Sequence, residues 1–209
     1  VYVEKDELKS IKPFPPKRIK PCVFEYIYFS RPDSLLNGQT AYEYRKKLGE
    51  ELAKEDNIDA DLIVPVPDSG NAAALGYSKQ AKIGFDLGLI RNHYVGRTFI
   101  EPSQKIRSFG VKLKLNANKT VINNKIIILV DDSLVRGTTS HKIVKALYDA
   151  GAKEVHMRIA SPEIRFPDYY GIDMPTIKEL LAANKSLEEM CEHINAKSLK
   201  FLSIDGLYK

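Results

Sequence analysis

Two adjacent carboxylates, Asp131 and Asp132, directly follow five consecutive apolar residues, Ile126 to Val130. An uninterrupted apolar run of this kind predicts a strand that is buried on both faces, as in a parallel sheet. Ligands of open α/β sheets bind beyond the carboxyl ends of the strands, so the two acids are predicted to lie where a ligand binds. Because carboxylates accept hydrogen bonds and bind hydrated divalent cations, the pair suits sugar hydroxyls or Mg²⁺.

The residues that come next have the composition of an anion-binding loop. They are, in chain order, Arg136, Gly137, Thr138, Thr139 and Ser140. A glycine lets the backbone approach an anion closely, and a helix predicted from about 139 to 149 offers free N–H groups and a favourable dipole at its N-terminus. The arginine and the hydroxyls add further donors for a phosphate. A phosphate site beside an acidic pair fits a ribose 5-phosphate unit.

Each of these features has an ordinary structural explanation when it stands alone. Thr138 or Thr139 can be an N-cap, and adjacent aspartates can form a turn after a strand. The succession of two acids, an arginine, a glycine and three hydroxyl residues within 131–140 is a much narrower pattern, and it favours a binding site. The pattern differs from a P-loop, because it lacks the GxxxxGK[ST] spacing.

Strand and helix signals alternate along the rest of the chain. Besides 126–130, strands are predicted at 23–29, 61–66, 85–90, 154–160 and 199–204, and helices at 39–55, 72–82, 139–149, 176–183 and 186–194. The alternation predicts an α/β fold with a mainly parallel central sheet flanked by helices, and a small C-terminal appendage of helices and a strand. Residues 94–110 show no period and are predicted to form a long loop. The proline-rich residues 1–22 are predicted to be a lead-in to one domain over 23–209.

The composition excludes several classes of protein. No apolar run approaches the roughly 20 residues that a membrane span needs, and the first 22 residues do not resemble a secretory signal. The net charge of +5 comes from 32 basic and 27 acidic residues without a long basic block, so nucleic-acid binding is not expected. Cys22 and Cys191 are the only cysteines, too few for a disulfide framework. We therefore expect a cytoplasmic protein.

The sequence around the acidic pair, VDDSLVRGTTS, resembles the signature with which type I phosphoribosyltransferases bind phosphoribosyl pyrophosphate (PRPP). Its specific form is similar to that of the glutamine PRPP amidotransferases, which form 5-phosphoribosylamine for purine synthesis. Further stretches resemble the same family in the same order, namely EYIYFSRPDS (25–34), VPVPDSGNAAALGY (64–77), NHYVGRTFIEPSQKIR (92–107), VKLKLNANK (111–119) and PEIRFPDYYGIDMP (162–175). Together they extend over most of the chain from about residue 22.

The resemblance implies a type I phosphoribosyltransferase fold and a reaction in which ammonia attacks the anomeric carbon of PRPP while pyrophosphate leaves. It implies that Asp131 and Asp132 hold the ribose hydroxyls and organise Mg²⁺, and that residues 136–140 wrap the 5-phosphate. The family's pyrophosphate loop matches Asp68, Ser69 and Gly70, where Ser69 is a further candidate contact of the metal. Without the resemblance, this stretch is equally well explained as an ordinary turn between a strand and a helix.

A second implied segment is the family's flexible loop, which closes over PRPP and matches residues 94–107. Its closure is expected to bring Tyr94 and Arg97 towards the reacting centre, where they are candidate catalytic residues. The cations of this region are Arg91, Lys105 and Arg107. His93 is assigned no role.

The resemblance also implies partners. Purine nucleotides are expected as inhibitors, and a homo-oligomer is expected. Family members carry an N-terminal glutaminase domain, which nothing in this chain resembles, so ammonia is expected to arrive free or from a separate glutaminase domain or subunit. Some members hold an iron–sulfur cluster by four cysteines, and two cysteines lead us to expect none here. Two alternatives stay open: a phosphoribosyltransferase that acts on a nucleobase, and a non-catalytic module that senses PRPP or nucleotides.

Overall fold

A four-stranded parallel sheet forms the centre of the chain, which the computed structural model describes at residues 1–18, 20–92, 115–168 and 176–209. The strands are β1 (Tyr2–Glu4), β2 (Glu7–Lys9), β3 (Leu35–Leu36), β4 (Gln39–Thr40), β5 (Leu62–Pro65), β6 (Leu89–Arg91), β7 (Leu115–Ala117), β8 (Ile126–Asp131), β9 (Glu154–Ile159) and β10 (Ser198–Phe201). The α-helices are α1 (Ala41–Lys54), α2 (Asn71–Ala81), α3 (Lys119–Ile122), α4 (Thr138–Asp149), α5 (Leu181–Asn184), α6 (Leu187–Ile194) and α7 (Ile204–Leu207).

The order of strands across the central sheet is β10–β9–β8–β5, and all neighbours are parallel. β8 lies in the interior, and residues 127–130 are completely buried, which confirms the strand predicted from the apolar run. Asp131 of β8 pairs with Ile159 of β9, so the two strands end at the same edge of the sheet. Because β10 pairs with β9, the last strand extends the central sheet instead of standing apart in the C-terminal appendage.

The two faces of the sheet are covered by separate hydrophobic cores. α4 and α6 contribute Ile143 and Ile194 to the first core, and α1 and α2 contribute Leu52 and Tyr77 to the second. Successive residues of β8 enter alternate cores, as the pleat of a strand requires. Within the described ranges, no helix is both long and apolar enough to cross a membrane.

The principal helices lie close to their predicted positions. α1 begins with a capping box, in which Thr40 Oγ1 accepts a hydrogen bond from the N–H of Glu43 at 3.2 Å and the Glu43 carboxylate accepts one from the N–H of Thr40 at 3.3 Å. The predicted helix at 176–183 is divided into a 3₁₀-helix (Ile177–Glu179) and α5. The lead-in contains a hairpin of β1 and β2 that the sequence did not predict. The loop predicted at 94–110 lies outside the described residues.

The strand predicted at 23–29 is wrong. Residues Glu25–Phe29 form a π-helix, closed by the N–H of Ser30, which donates to the carbonyl oxygen of Glu25 at 3.1 Å. Aromatic and β-branched residues favour a strand only where packing and a neighbouring strand support it. Here the buried guanidinium of Arg45 on α1 instead donates to the carbonyl oxygens of Tyr26 and Ser30, at 2.9 and 2.7 Å. Tertiary contacts with α1 therefore override the local propensity.

A buried ion pair connects the helices of the second core to the sheet. Arg158 of β9 is 2% exposed and pairs through Nε with the carboxylate of Asp56, which follows α1. Tyr77 Oη of α2 donates to the same carboxylate at 2.5 Å. Burial by itself raises the pKa of Asp56, but the hydrogen bonds from Arg158 and Tyr77 outweigh it and hold that pKa below its ordinary value. The ionised carboxylate is thus the form that the fold stabilises.

Replacement of Asp56 by asparagine leaves the guanidinium of Arg158 buried without a counter-charge, so we expect Asp56→Asn to lower the free energy of unfolding by about 3–5 kcal/mol. Urea denaturation measures this change. The matched control is Glu50→Gln, which removes an exposed ion pair to Lys79 at 3.4 Å and should change the free energy by less than about 0.5 kcal/mol. Equal effects of the two substitutions contradict the prediction.

The same ion pair predicts a dependence on pH. Because the pKa of Asp56 is lower in the folded than in the unfolded protein, its stabilising contribution is present above the unfolded value of about 4 and is lost as the pH falls through the folded value. Between about pH 6 and about pH 3, wild type should therefore lose more stability than Asp56→Asn does. Parallel losses in the two proteins would show that the ion pair is not the titrating element.

Candidate functional site

The acidic pair lies at the carboxyl end of β8. Asp131 is the last residue of the strand, Asp132 follows it, and both are buried. Ser69 Oγ donates to Asp131 Oδ1 at 3.1 Å, and the N–H of Asp132 donates to the same oxygen at 2.9 Å. Ser133 Oγ donates to Asp132 Oδ2 at 2.8 Å. Hydroxyl and amide donors thus surround two adjacent buried carboxylates.

The charge of Asp132 affects the ionisation of Asp131. Burial, followed by the charge of Asp132, raises the pKa of Asp131 well above its ordinary value. Burial removes the hydration of an ionised carboxylate, and a neighbouring negative charge opposes its ionisation further. The hydrogen bonds from the Asp132 N–H and from Ser69 act in the opposite sense, but their effect is smaller. The negative charge of the two carboxylates therefore favours binding of a cation or of a ligand rich in hydrogen-bond donors.

Arg45 is a cation beside the pair that sequence reasoning missed. Its side chain is buried on α1; burial lowers its pKa, while the charge of Asp132 acts to raise it. The sequence does carry a signal, because Arg45 falls on the same helical face as Ala41, Leu48 and Leu52. A charged residue on the buried face of an amphipathic helix needs a partner in the core. Here that role belongs to the carbonyl oxygens of the π-helix, with the charge of Asp132 nearby.

The predicted pyrophosphate loop, residues 67–70, connects β5 to α2 and packs closely against β8. A Cβ atom on Gly70 would lie 2.4 Å from the carbonyl oxygen of Val130. Glycine is therefore required for this approach of the loop to the strand. The close approach accompanies the hydrogen bond from Ser69 to Asp131, so the structure brings the predicted loop and the predicted acidic pair together.

An ion pair joins this loop to β6. Arg91, the last residue of β6, pairs through Nη1 with Asp68 Oδ2. The Nε of Arg91 is buried and has no hydrogen-bond partner among the described residues. Because a buried donor without a partner costs free energy, this Nε is a candidate contact for an anion. Other residues predicted for this part of the site lie in ranges that the structure does not describe, namely Tyr94, Arg97, Lys105 and Arg107.

The predicted phosphate loop ends at the N-terminus of α4. Gly137 is the N-cap residue with a φ of 76°, where other residues are strained, and a Cβ atom on it would lie 2.8 Å from Leu181 Cδ2. As a glycine, it has no side chain to accept hydrogen bonds from the first-turn N–H groups. Thr138 and Thr139 are exposed, and Ser140 is buried. The first turn therefore presents N–H groups and two hydroxyls in a setting that favours an anion.

The last predicted phosphate ligand, Arg136, has a partner that sequence reasoning did not identify. Its Nε lies 3.4 Å from Glu179 Oε1, at the end of the 3₁₀-helix. Arg136 and Glu179 are far apart in the chain and meet only through the tertiary structure. No local pattern of the sequence links them.

Parallel α/β sheets bind phosphorylated ligands where the end of a strand meets the N-terminus of a helix. The carboxyl end of β8 and the N-terminus of α4 have this arrangement, so the chain contains an α/β domain of this class. Among curated proteins, the amidophosphoribosyltransferase of Rhizobium etli is 57% identical over 199 residues, which cover 95% of this chain and 40% of that relative. Over the length that it spans, the chain is therefore similar to amidophosphoribosyltransferases.

Other relatives lead to the same family. The amidophosphoribosyltransferase of Methanocaldococcus jannaschii is 54% identical over 188 residues, 90% of this chain and 40% of that protein. The chloroplastic amidophosphoribosyltransferase 1 of Arabidopsis thaliana is 55% identical over 209 residues, 100% of this chain and 37% of that protein. The chain thus spans about 40% of the length of these curated relatives. No protein-family model matches it.

Solved structures confirm the predicted fold. The glutamine PRPP amidotransferase of B. subtilis, complexed with ADP and GMP, has a TM-score of 0.81 and 52% identity, with 89% of this chain and 41% of that chain covered. A structure of the allosteric regulatory enzyme of purine biosynthesis has a TM-score of 0.81 and 51% identity, with 89% and 40% covered. The α/β fold with a central parallel sheet is the fold of these proteins.

The packing of the 67–70 loop predicts the effect of a single methyl group. In Gly70→Ala the added Cβ meets a backbone oxygen, which cannot rotate away, so we expect the loop to move from β8 and the free energy of unfolding to fall by about 1–3 kcal/mol. Urea denaturation measures the change. The control is Gly84→Ala, whose Cβ meets nothing within 4 Å and should change the free energy by less than about 0.5 kcal/mol. A Gly70→Ala protein as stable as the control rules out the close approach.

Proposed function

We propose that the chain transfers the phosphoribosyl group of PRPP to ammonia, which gives 5-phosphoribosylamine and pyrophosphate, the first step of de novo purine synthesis. The observation that carries the proposal is the buried acidic pair of β8 beside the N-terminus of α4, in a chain whose relatives are amidophosphoribosyltransferases. The identity of 54–57% to these relatives favours ammonia over a nucleobase as the acceptor.

The proposed ribose subsite is the acidic pair, and the proposed phosphate subsite is the loop before α4. Asp131 and Asp132 are proposed to accept hydrogen bonds from the ribose hydroxyls, because ionised carboxylates are acceptors only. The 5-phosphate is proposed to bind Arg136 together with the N–H groups and hydroxyls of residues 137–140. The uncapped first turn of α4 supports this assignment, since it leaves donors for a phosphate.

The proposed pyrophosphate subsite is the 67–70 loop with Arg91. Backbone N–H groups of such a loop and the buried Nε of Arg91 are suitable donors for an anion. The carboxylate of Asp68 is itself unsuited to a polyanion, and its proposed task is to position Arg91 through their ion pair. From the family resemblance alone, closure over PRPP is proposed for the remaining residues of this region, Tyr94, Arg97, Lys105 and Arg107.

Mg²⁺ fits the donors of the acidic pair. The carboxylates of Asp131 and Asp132 and the hydroxyl of Ser69 are oxygen ligands, and Mg²⁺ commonly binds one or two carboxylates together with waters and substrate phosphates. In the described ranges, no group of three or more histidine, cysteine, aspartate or glutamate residues could hold a metal. Bound Mg²⁺ supplies positive charge that neutralises the pyrophosphate group of PRPP.

The proposed reaction depends on positioning rather than on a nucleophilic side chain. Ammonia attacks the anomeric carbon, the bond from that carbon to the pyrophosphate oxygen breaks, and the product amine loses a proton to solvent. Positive charge develops on the ribose ring during this substitution, and the carboxylates of Asp131 and Asp132 lie at the proposed ribose subsite, where they stabilise it. Fixing the ribose, the 5-phosphate and the pyrophosphate of PRPP also removes much of the entropic cost of the reaction.

Regulation and assembly are proposed from the relatives. The B. subtilis enzyme is complexed with ADP and GMP, and we propose that purine nucleotides inhibit this protein by occupying the ribose and phosphate subsites. We also propose that ammonia arrives free or from a glutaminase domain or subunit, and that the protein is a cytoplasmic homo-oligomer.

The reaction is tested by pyrophosphate release from PRPP in the presence of Mg²⁺ and ammonium. We expect ammonium-dependent release by wild type, and a decrease of at least about 100-fold in Asp132→Asn, because one charged contact to the reacting sugar is lost. The control is Asp149→Asn, which removes an exposed ion pair to Lys145 at 3.1 Å on α4 and should leave the rate unchanged.

Two outcomes of this assay contradict the proposal. Release that requires a purine or pyrimidine base instead of ammonium identifies a nucleobase phosphoribosyltransferase. PRPP binding without any release identifies either a module that senses PRPP or a domain that is inert without its glutaminase.

The raised pKa of Asp131 predicts how the binding of a divalent cation depends on pH. A proton on Asp131 competes with the cation, so affinity should increase with pH, by up to about tenfold per pH unit for one displaced proton, and become constant above that pKa. Titration with Mn²⁺, a paramagnetic substitute for Mg²⁺, measures this affinity. In Asp131→Asn the dependence should disappear, and a wild-type affinity independent of pH argues against a cation at this pair.

A further inference from the structure

Arg136, the proposed phosphate ligand, is held by a carboxylate of the chain itself. Its Nε lies 3.4 Å from Glu179 Oε1, and both side chains are about half exposed, at 50% and 51%. Both groups are thus accessible to solvent and to a ligand. A phosphate that approaches Arg136 meets a guanidinium that already has an anionic partner.

The segment that carries Glu179 is attached to the phosphate loop. Glu179 ends the 3₁₀-helix, and the next residues, Leu180 and Leu181, are buried. The N–H of Leu181 donates to the carbonyl oxygen of Val135, immediately before Arg136, at 2.8 Å. These contacts fix the backbone of Glu179 beside the loop, so its proximity to Arg136 does not depend on a chance side-chain contact.

A second contact joins the same region to the loop. The space that a Cβ atom on Gly137 would occupy is taken by Leu181 Cδ2 at 2.8 Å and by His193 Cδ2 of α6 at 3.0 Å. His141 Nδ1 of α4 lies 3.0 Å from the carbonyl oxygen of His193. α5 and α6 therefore pack against the phosphate loop, and the 3₁₀-helix that precedes α5 brings Glu179 to Arg136.

We propose that Glu179 competes with the 5-phosphate for Arg136 and thereby sets the affinity of the phosphate subsite. The inference rests on the proposed function, because it takes residues 136–140 as the phosphate subsite. The carboxylate and the phosphate are both anions that an arginine binds through charge-assisted hydrogen bonds. Only one of them can occupy the same guanidinium edge.

This competition has a consequence for selectivity. A phosphate dianion carries more charge than a carboxylate and gains additional hydrogen bonds from the first turn of α4, so it displaces Glu179. A ligand without a phosphate lacks these contacts and leaves the ion pair intact. Glu179 therefore acts through Arg136: it lowers the affinity for every phosphorylated ligand of the site and leaves the affinity for ligands without a phosphate unchanged.

The test is calorimetric titration of the whole chain with PRPP and Mg²⁺, and with ribose 5-phosphate. Glu179→Gln keeps the size of the side chain but removes its charge. We expect its Kd for both ligands to decrease by about two- to fivefold, the range that corresponds to an exposed ion pair. The control is Glu163→Gln, which removes the charge of another glutamate paired with an arginine, Arg165, at 2.5 Å. Its Kd values should equal those of wild type.

A double-mutant cycle separates competition from a merely structural role. In an Arg136→Ala background, Glu179→Gln should change Kd by less than about twofold, because the shared guanidinium is absent. If Glu179 instead orients Arg136 towards the phosphate, Glu179→Gln weakens binding, and this result overturns the inference. An unchanged Kd in Glu179→Gln also overturns it.

The outcomes for the two proposals are distinguishable. If wild type binds PRPP and releases pyrophosphate but Glu179→Gln binds no more tightly, the inference fails and the proposed function stands. If Glu179→Gln binds ribose 5-phosphate more tightly while no variant releases pyrophosphate, the inference stands and the transferase function fails. If wild type binds neither ligand, both fail.

Discussion

The burial of two adjacent carboxylates at the end of β8 is the constraint on which the rest of the site depends. β8 is an interior strand with both faces covered, so its last residue, Asp131, enters a region of low polarity. A buried negative charge is stable only with donors or positive charge nearby. The Ser69 hydroxyl and the N–H of Asp132 supply donors. Arg45 also lies nearby, since the charge of Asp132 acts to raise the pKa of Arg45.

The effect of this constraint extends to elements at some distance from the strand. Arg45 is itself buried and needs acceptors, which it finds in the carbonyl oxygens of Tyr26 and Ser30. The π-helix at 25–29 is held in this way against α1. On the other side, Gly70 allows the 67–70 loop to approach β8 so closely that Ser69 reaches the acidic pair. The acidic pair, α1, the π-helix and the loop thus form one connected set of contacts.

Two arginines in the described part of the site are also paired with carboxylates of the chain. Arg91 pairs with Asp68, and Arg136 pairs with Glu179. Each arginine belongs to a subsite for which a phosphate or pyrophosphate group is proposed, so a bound anion has to share or exchange a carboxylate partner. Such an arrangement makes the affinity depend on the total charge and geometry of the ligand.

Much of the fold and part of the site could be predicted from the sequence. The apolar run of β8 and the period of α1 are local patterns, and hydrophobic burial turns such patterns directly into buried strands and amphipathic helices. The VDDSLVRGTTS segment places acids, glycine and hydroxyls within a few residues of one another, so their neighbourhood in space follows from the chain itself. The resemblance to the family was visible in the same residues, and the comparisons confirmed it.

The sequence by itself therefore determined the alternation of strands and helices, the buried strand β8 and the family, because each is encoded in neighbouring residues. Only the tertiary structure decided that 25–29 is a π-helix and that the partners are Asp56 with Arg158 and Glu179 with Arg136. Residues that are distant in sequence meet only when the sheet and helices have packed. Propensity and spacing describe the conformation of a segment, whereas the partner of a charged side chain is determined by which other segments pack beside it.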